Sequence, residues 1–111
     1  MIAKEPYVAA LKEILKRQAA RDKLHKPLAE LGIDISSDPL EDAMVTLMDA
    51  ALNMPDMPTG GFTSWWLYDC SMSRGKGIPT KLRLDDRELT AGTPEELYDM
   101  AVAYSKYTEE M

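Results

Sequence analysis

The residues of this chain that could support covalent catalysis are few. The sequence contains one cysteine, Cys70, and one histidine, His25. A cysteine nucleophile needs a nearby base such as His25 to form its thiolate, with an acid such as Asp69 to orient that base, but no spacing brings these residues together. One Cys and one His also cannot supply the four N or S ligands of a structural zinc site. We therefore expect no enzymatic activity, no metal and no cofactor.

A segment rich in glycine and cations, Ser71–Gly77, is the second candidate for chemistry. Arg74 and Lys76 could contact an anion there, because backbone N–H groups and cations form phosphate-binding loops. The segment lacks the terminal Lys-Ser/Thr pair of a P-loop, so an ordinary surface loop is the simpler interpretation. Neighbouring aromatic rings could stack on single-stranded nucleic acid. The net charge of −6 argues against that role, and we predict no direct nucleic-acid binding.

The segment Phe62–Cys70 holds both tryptophans and the only phenylalanine of the chain. Adjacent side chains point in different directions on a helix or a strand, so one surface cannot easily bury both Trp65 and Trp66. Spacing to Leu67 and Cys70 predicts that Trp66 is the buried ring. Trp65 must then find a second surface, within the fold, on a partner or on a twin subunit. The segment therefore favours binding over chemistry.

Charge alternates in sign along the chain. Residues 1–32 carry a net charge of +3, residues 33–70 carry −7, residues 71–87 carry +3 and residues 88–111 carry −5. Such a pattern is typical of ordinary solvated helices. It would also suit a continuous acidic face formed by the second and last helices, which could meet a basic partner. We predict that this face contributes to binding.

Two helices can be placed in the first half of the chain. Apolar residues at three- and four-residue spacing follow Pro6 and predict an amphipathic helix, which Pro27 should kink or interrupt and Gly32 should end. Asp38 and Pro39 then give the cap and first position of a second helix. The predicted core stripe of this helix leaves Glu41, Asp42 and Asp49 outside it. That stripe consists of Leu40, Met44, Leu47, Met48, Ala51 and Leu52.

The second half begins with a turn-rich linker, Pro55 to Gly61, and a short helix through Met72 that Thr63 or Ser64 could cap; a strand is the alternative. After the break at Gly75–Pro79, alternation around Asp85-Asp86 predicts a β-hairpin. Thr93-Pro94-Glu95-Glu96 is a capping box that opens the last helix. The expected fold class is α+β: about four helices, with a short β-hairpin before the last one.

Length and composition limit the remaining possibilities. With 111 residues and 45% hydrophobic content, residues 1–111 are expected to form a single domain with one modest core. The longest apolar run is far short of the roughly 20 residues of a membrane helix, so no membrane is expected. One cysteine cannot form an internal disulfide, which makes a reducing cytoplasm the expected compartment.

Two parts of the sequence resemble a loose group of small uncharacterised proteins of bacteriophages and prophages. One is the aromatic run Ser64-Trp65-Trp66-Leu67-Tyr68-Asp69-Cys70 with the glycine-containing break that follows it. The other is the segment Leu82 to Tyr98, a hairpin that leads into a capped helix. The chain is similar to such proteins in size, acidity and its Lys-rich first helix. The resemblance implies a phage or mobile-element accessory protein that works by binding, and it carries over no catalytic residue.

These observations lead to two functional expectations. The first is a small acidic protein that binds a host protein stoichiometrically, most concretely an inhibitor of a nucleic-acid-guided defence system, such as an anti-CRISPR, that meets a basic nucleic-acid-binding surface. The alternative is a self-associating accessory or regulatory protein, a homodimer, without enzymatic activity. The residues predicted to bind the partner are acidic, aromatic or basic and fall in four groups. They are Asp38, Glu41, Asp42, Asp49 and Asp56; Trp65, Tyr68 and Asp69; Arg74 and Lys76; and Glu95, Glu96 and Asp99.

Overall fold

The computed structural model describes residues 2–35, 38–52, 61–73 and 79–110, except for the side chains of 70–73. Within these ranges the chain forms four helices and one β-hairpin. The elements in chain order are α1 (Lys4–Glu30), α2 (Pro39–Ala51), α3 (Phe62–Ser73), β1 (Thr80–Leu84), β2 (Arg87–Ala91) and α4 (Pro94–Glu109). The predicted helix-dominated α+β class, with the hairpin directly before the last helix, is confirmed.

Helix α1 continues through Pro27, so the predicted interruption there is wrong. A proline removes one backbone donor, and only three helical residues follow this one. The last turn is closed by other bonds: the N–H groups of Leu31 and Ile33 both reach the carbonyl of Leu28, at 3.0 and 2.9 Å. Gly32 adopts a positive φ of 79°, the left-handed conformation that ends the helix as predicted.

Helix α2 begins as the sequence indicates but turns a different face inward. Asp38 is its N-cap and accepts the backbone N–H groups of Leu40 and Glu41. The buried residues of the helix are Glu41, Val45 and Met48, whereas Leu40 and Leu47 are 56% and 70% exposed. The predicted core stripe is therefore wrong for the two leucines. Glu41, one of the three carboxylates predicted to lie outside the stripe, is buried.

Helix α3 is capped by a residue of α2. The carboxylate of Asp49 accepts the backbone N–H of Thr63 and the hydroxyl of Ser64, at 2.6 and 3.0 Å. The expected local cap by Thr63 or Ser64 is replaced by this long-range one. A Cβ at Gly61 would fall on the Asp49 carboxylate, so the approach of the two helices requires glycine there. The predicted helix in this segment is confirmed, and the strand alternative is wrong.

The hairpin and α4 agree closely with the predictions from the sequence. Strands β1 and β2 pair antiparallel with Thr80 opposite Ala91 and Leu84 opposite Arg87, joined by the Asp85-Asp86 turn. Thr93 caps α4 by accepting the N–H of Glu96 at 3.2 Å, as predicted. Because the hairpin ends two residues before Thr93, α4 packs against β2.

The core lies where all four helices and the hairpin meet. Its fully buried large side chains come from α1, α3, α4 and the end of α2, and include Tyr7, Leu11, Phe62, Trp66 and Leu97. Helix α1 contributes buried residues only between Tyr7 and Ile14. The second half of this 27-residue helix therefore extends beyond the core of the domain.

Candidate interaction surface

The two tryptophans lie in different environments, as predicted. Trp66 is 1% exposed, and its Nε1–H donates to the carbonyl of Ala91 at 3.1 Å. Trp65 is half-buried, and the centroid of its ring lies 5.6 Å from the ring centroid of Phe62. Tyr68 is 61% exposed and presents the free aromatic surface of α3. The segment therefore fastens α3 to the hairpin and leaves Tyr68 as its most accessible ring.

The acidic residues at the start of α2 are paired within the chain. Asp38 lies 2.5 Å from the guanidinium of Arg17, and this hydrogen bond lowers the pKa of Asp38. Glu41 is 6% exposed and accepts from Arg21 at 2.8 Å and from Gln18 at 2.9 Å. The same contact raises the pKa of Arg21 above its ordinary value. These carboxylates hold α2 against the middle of α1.

The acidic residues of α4 are engaged in a similar way. Glu95 lies 2.6 Å from Nζ of Lys12, and this hydrogen bond lowers the pKa of Glu95. Asp99 lies 3.0 Å from Nζ of Lys4. Glu96 accepts the hydroxyl of Thr93 at 3.1 Å as part of the cap. The alternating charge blocks thus neutralise one another within the fold, with the basic α1 between acidic residues of α2 and α4.

Few of the predicted partner-binding acids remain at the surface without such roles. Asp49 on α2 is half-buried and caps the first turn of α3. Asp42 on α2 is exposed, and Asp69 on α3 is half-buried. Asp56, Arg74 and Lys76 lie outside the described residues, as does the side chain of Cys70. The structure does not bring the described acidic residues of α2 and α4 together as one free face.

A depression of about 270 Å³ opens beside Glu41 where α1, α2 and α3 meet. Its polar lining includes Gln18, Glu41 and Ser64, all of which already hydrogen-bond within the chain. A catalytic acid or base must be free to exchange a proton with a substrate. Gln18, Glu41 and Ser64 therefore support helix packing, whereas Asp42, which also lines the depression, is exposed.

The most distinctive free surface is the outer face of α2, formed by Leu40, Ala43, Leu47 and Ala50. All four residues are exposed, and the leucines are 56% and 70% exposed. At 100° per residue, apolar positions cover roughly 220° of this helix, whereas a helix on one core needs a stripe of about 100° or more. One core therefore cannot cover them all. The width of this apolar arc is the feature of the sequence that could have predicted an exposed apolar face on α2.

The described residues show neither a metal-ligand cluster nor a membrane-spanning helix. They contain no group of three or more His, Cys, Asp or Glu side chains that could hold a metal ion. None of the helices described is long and apolar enough to cross a membrane. Comparison with protein-family models, curated proteins and solved structures found no match to the chain.

Proposed function

We propose that this chain acts by binding another protein stoichiometrically through the outer face of α2, without enzymatic activity. The observation that carries the proposal is the exposure of Leu40 and Leu47 on a helix whose opposite face is in the core. Burying one leucine contributes roughly 1.5–3 kcal/mol, so the two leucines can anchor a partner. The small side chains of Ala43 and Ala50 beside them let a second helix or strand approach closely.

The contact is mainly apolar. The acidic residues that were predicted to meet a basic partner are largely engaged inside the fold: Asp38 and Glu41 pair with arginines, and Asp49 caps α3. Asp42, exposed on α2, can add charge at the rim. Rim charges affect the association rate more than the affinity. We therefore expect binding to depend weakly on salt.

The resemblance to small phage and prophage proteins supports a host protein as the partner, and the single cysteine supports a reducing cytoplasm as the compartment. Its most concrete form is an inhibitor of a nucleic-acid-guided defence system. An apolar helix face could block such a complex by occupying a groove between its subunits. Inhibition of this kind needs one bound chain per complex and no turnover.

The test compares three forms of the chain in bacteria that carry a nucleic-acid-guided defence system and are challenged with a targeted phage. The wild-type chain should restore phage plating, and Leu40→Glu with Leu47→Glu should abolish that effect. Thr46→Glu is the control for an added acid, because it places one carboxylate at an exposed position of α2 next to the outer face. The control should act like the wild type.

Affinity purification from the same cells should recover a stoichiometric partner with the wild type and the control only. Exposed substitutions of this kind usually change stability by less than about 0.5 kcal/mol, which unfolding measurements can verify. Recovery of the same partner by the double variant would refute the assignment of the face. Failure of the wild type against a panel of defence systems would refute the inhibitor function.

A further inference from the structure

Large and small side chains alternate along the outer face of α2. Its residues follow one another at intervals of three, four and three positions: Leu40, Ala43, Leu47 and Ala50. These intervals are the a and d spacing of a coiled coil, with leucine at each a position and alanine at each d position. All four residues are exposed. The face therefore has the spacing that a second helix needs, and no part of its own domain buries it.

No charged residue of α2 lies beside this face. The positions that flank an a/d surface are e and g, whose charges usually select the partner helix and its orientation. In α2 these flanking positions are occupied by Pro39, Met44, Thr46 and Ala51. The acidic residues Glu41, Asp42 and Asp49 lie about 120° or more from the centre of the face. Two chains with a net charge of −6 each can therefore bring these faces together without like charges along the contact.

Antiparallel pairing of two α2 helices matches the sizes of the side chains on this face. A two-fold axis at the level of Val45 sets Leu40 opposite Ala50 of the second copy, and Ala43 opposite Leu47. Every layer of the contact then holds one leucine and one alanine, so the two helices can approach evenly along their length. A parallel pair would instead set leucine against leucine and alanine against alanine, which leaves crowded and empty layers in turn. The alternation thus favours the same face of a second copy as the occupant.

We propose that the outer face of α2 pairs with the same face of a second copy of this chain, with the two helices antiparallel. This inference goes beyond the proposed function, because it assigns the face a second occupant that a host protein has to displace. Helix α2 is about 20 Å long. A contact of this length buries less than the roughly 1,200 Å² of stable complexes, so the pair is weak and reversible. Pairing covers the two leucines in the free chain and yields to a tighter partner.

Sedimentation velocity of the full chain, from micromolar to millimolar concentration, measures the pairing. The wild type should shift from the mass of one chain to that of two as concentration rises. Ala43→Leu makes the face more apolar but sets leucine against Leu47 of the second copy, so it should raise the dissociation constant at least about tenfold. Ala43→Leu with Leu47→Ala exchanges the two sizes. This double variant should return the constant to within about threefold of the wild type, because each layer again holds one leucine and one alanine.

Crosslinking reports the orientation of the two helices. In an antiparallel pair the two copies of residue 46 lie at levels about 3 Å apart along the helix axis, whereas the two copies of residue 50 lie about 15 Å apart. In a Cys70→Ser background, a short bis-maleimide should therefore join two chains that carry Thr46→Cys and should not join chains that carry Ala50→Cys. Equal crosslinking at positions 46 and 50 is the result for a parallel pair and would overturn the proposal.

Three sedimentation results would also overturn it: a wild type that stays monomeric at millimolar concentration, an Ala43→Leu variant that pairs as well as the wild type, or a size exchange that restores nothing. These measurements need no host protein, so they stand apart from the proposed function. A monomeric chain that restores phage plating would overturn the pairing alone. A chain that pairs as described but restores no plating would refute the inhibitor function alone.

Discussion

Asp49 and Thr63 join two helices through one hydrogen bond: the Asp49 carboxylate accepts the Thr63 backbone N–H at 2.6 Å. Thr63 belongs to the first turn of α3, where N–H groups have no partner within the helix. Asp49 thus acts as an N-cap from 14 positions earlier in the chain. We expect Asp49→Ala to destabilise the fold by roughly 1–2 kcal/mol, the usual cost of removing a cap.

Urea unfolding followed by tryptophan fluorescence measures this effect, since both tryptophans lie in α3. Asp42→Ala on the same helix is the control, because Asp42 is exposed, and it should change stability by less than about 0.5 kcal/mol. Equal effects of the two substitutions would contradict the capping role of Asp49.

Tyr7 should make the protein sensitive to alkaline pH. Its hydroxyl bonds that of Thr63 at 2.8 Å, and burial raises the pKa of Tyr7 above its ordinary value of 10.0. Above pH 10 the unfolded chain releases this proton and the folded chain keeps it, so stability falls as pH rises. Tyr7→Phe should remove that part of the decline and cost about 1–3 kcal/mol at neutral pH.

Unfolding free energies of the wild type and Tyr7→Phe at neutral pH and above pH 10 check this prediction. The difference between the two proteins should shrink as pH rises. Parallel curves would show that Tyr7 does not titrate differently in the two states. Tyr98→Phe, which also removes a tyrosine hydroxyl that bonds within the chain, provides the comparison.

Asp38 should make the stability of the fold depend on pH under acidic conditions. Its hydrogen bond to Arg17 lowers its pKa below the ordinary value of 3.8, so the unfolded chain takes up the proton first as pH falls. The stabilisation is present above the ordinary pKa and is lost as pH drops through the lower folded value. Asp38→Asn keeps a capping oxygen but removes the charge.

The wild type should therefore be more stable than Asp38→Asn near pH 6, and the two should converge below the ordinary pKa of 3.8. Chemical unfolding across this range gives the comparison. A constant difference between the proteins would mean that the Arg17 contact does not depend on the charge of Asp38.

The tryptophans should differ sharply in their effect on stability. Trp66→Ala should cost roughly 3–5 kcal/mol, because the ring is fully buried and its Nε1–H bonds Ala91. Trp65→Ala should cost clearly less, since that ring is half-buried against Phe62. Thermal melting of both variants tests this order. Equal losses would show that both rings belong fully to the core.

The local signals in the sequence were the reliable ones. Asp38, Thr93 and Gly32 mark helix ends because each acts on backbone groups within a few residues. The hairpin followed from alternation around a two-residue turn. Such effects need no knowledge of the rest of the fold. For this reason the elements and their boundaries could largely be predicted.

The faces of the helices could not be predicted with the same success. Periodicity showed that α2 is apolar, but the orientation of the helix depends on Arg21, which binds Glu41 from 20 positions earlier. This long-range pair takes a carboxylate inward and leaves Leu40 and Leu47 outside. The candidate surface was missed for that reason. Pro27 was misjudged because the bonds that close the last turn outweigh one missing donor.

Only the first half of α1 packs in the core, and this has a consequence for the backbone dynamics of the helix. Its amides between Tyr7 and Ile14 are shielded by the core and should exchange with solvent deuterium only when the whole domain unfolds. Those after Arg21 can open locally, and Pro27 has no amide hydrogen to retard that opening. A single continuous helix should therefore show two classes of hydrogen-exchange protection, with the boundary near the start of α2.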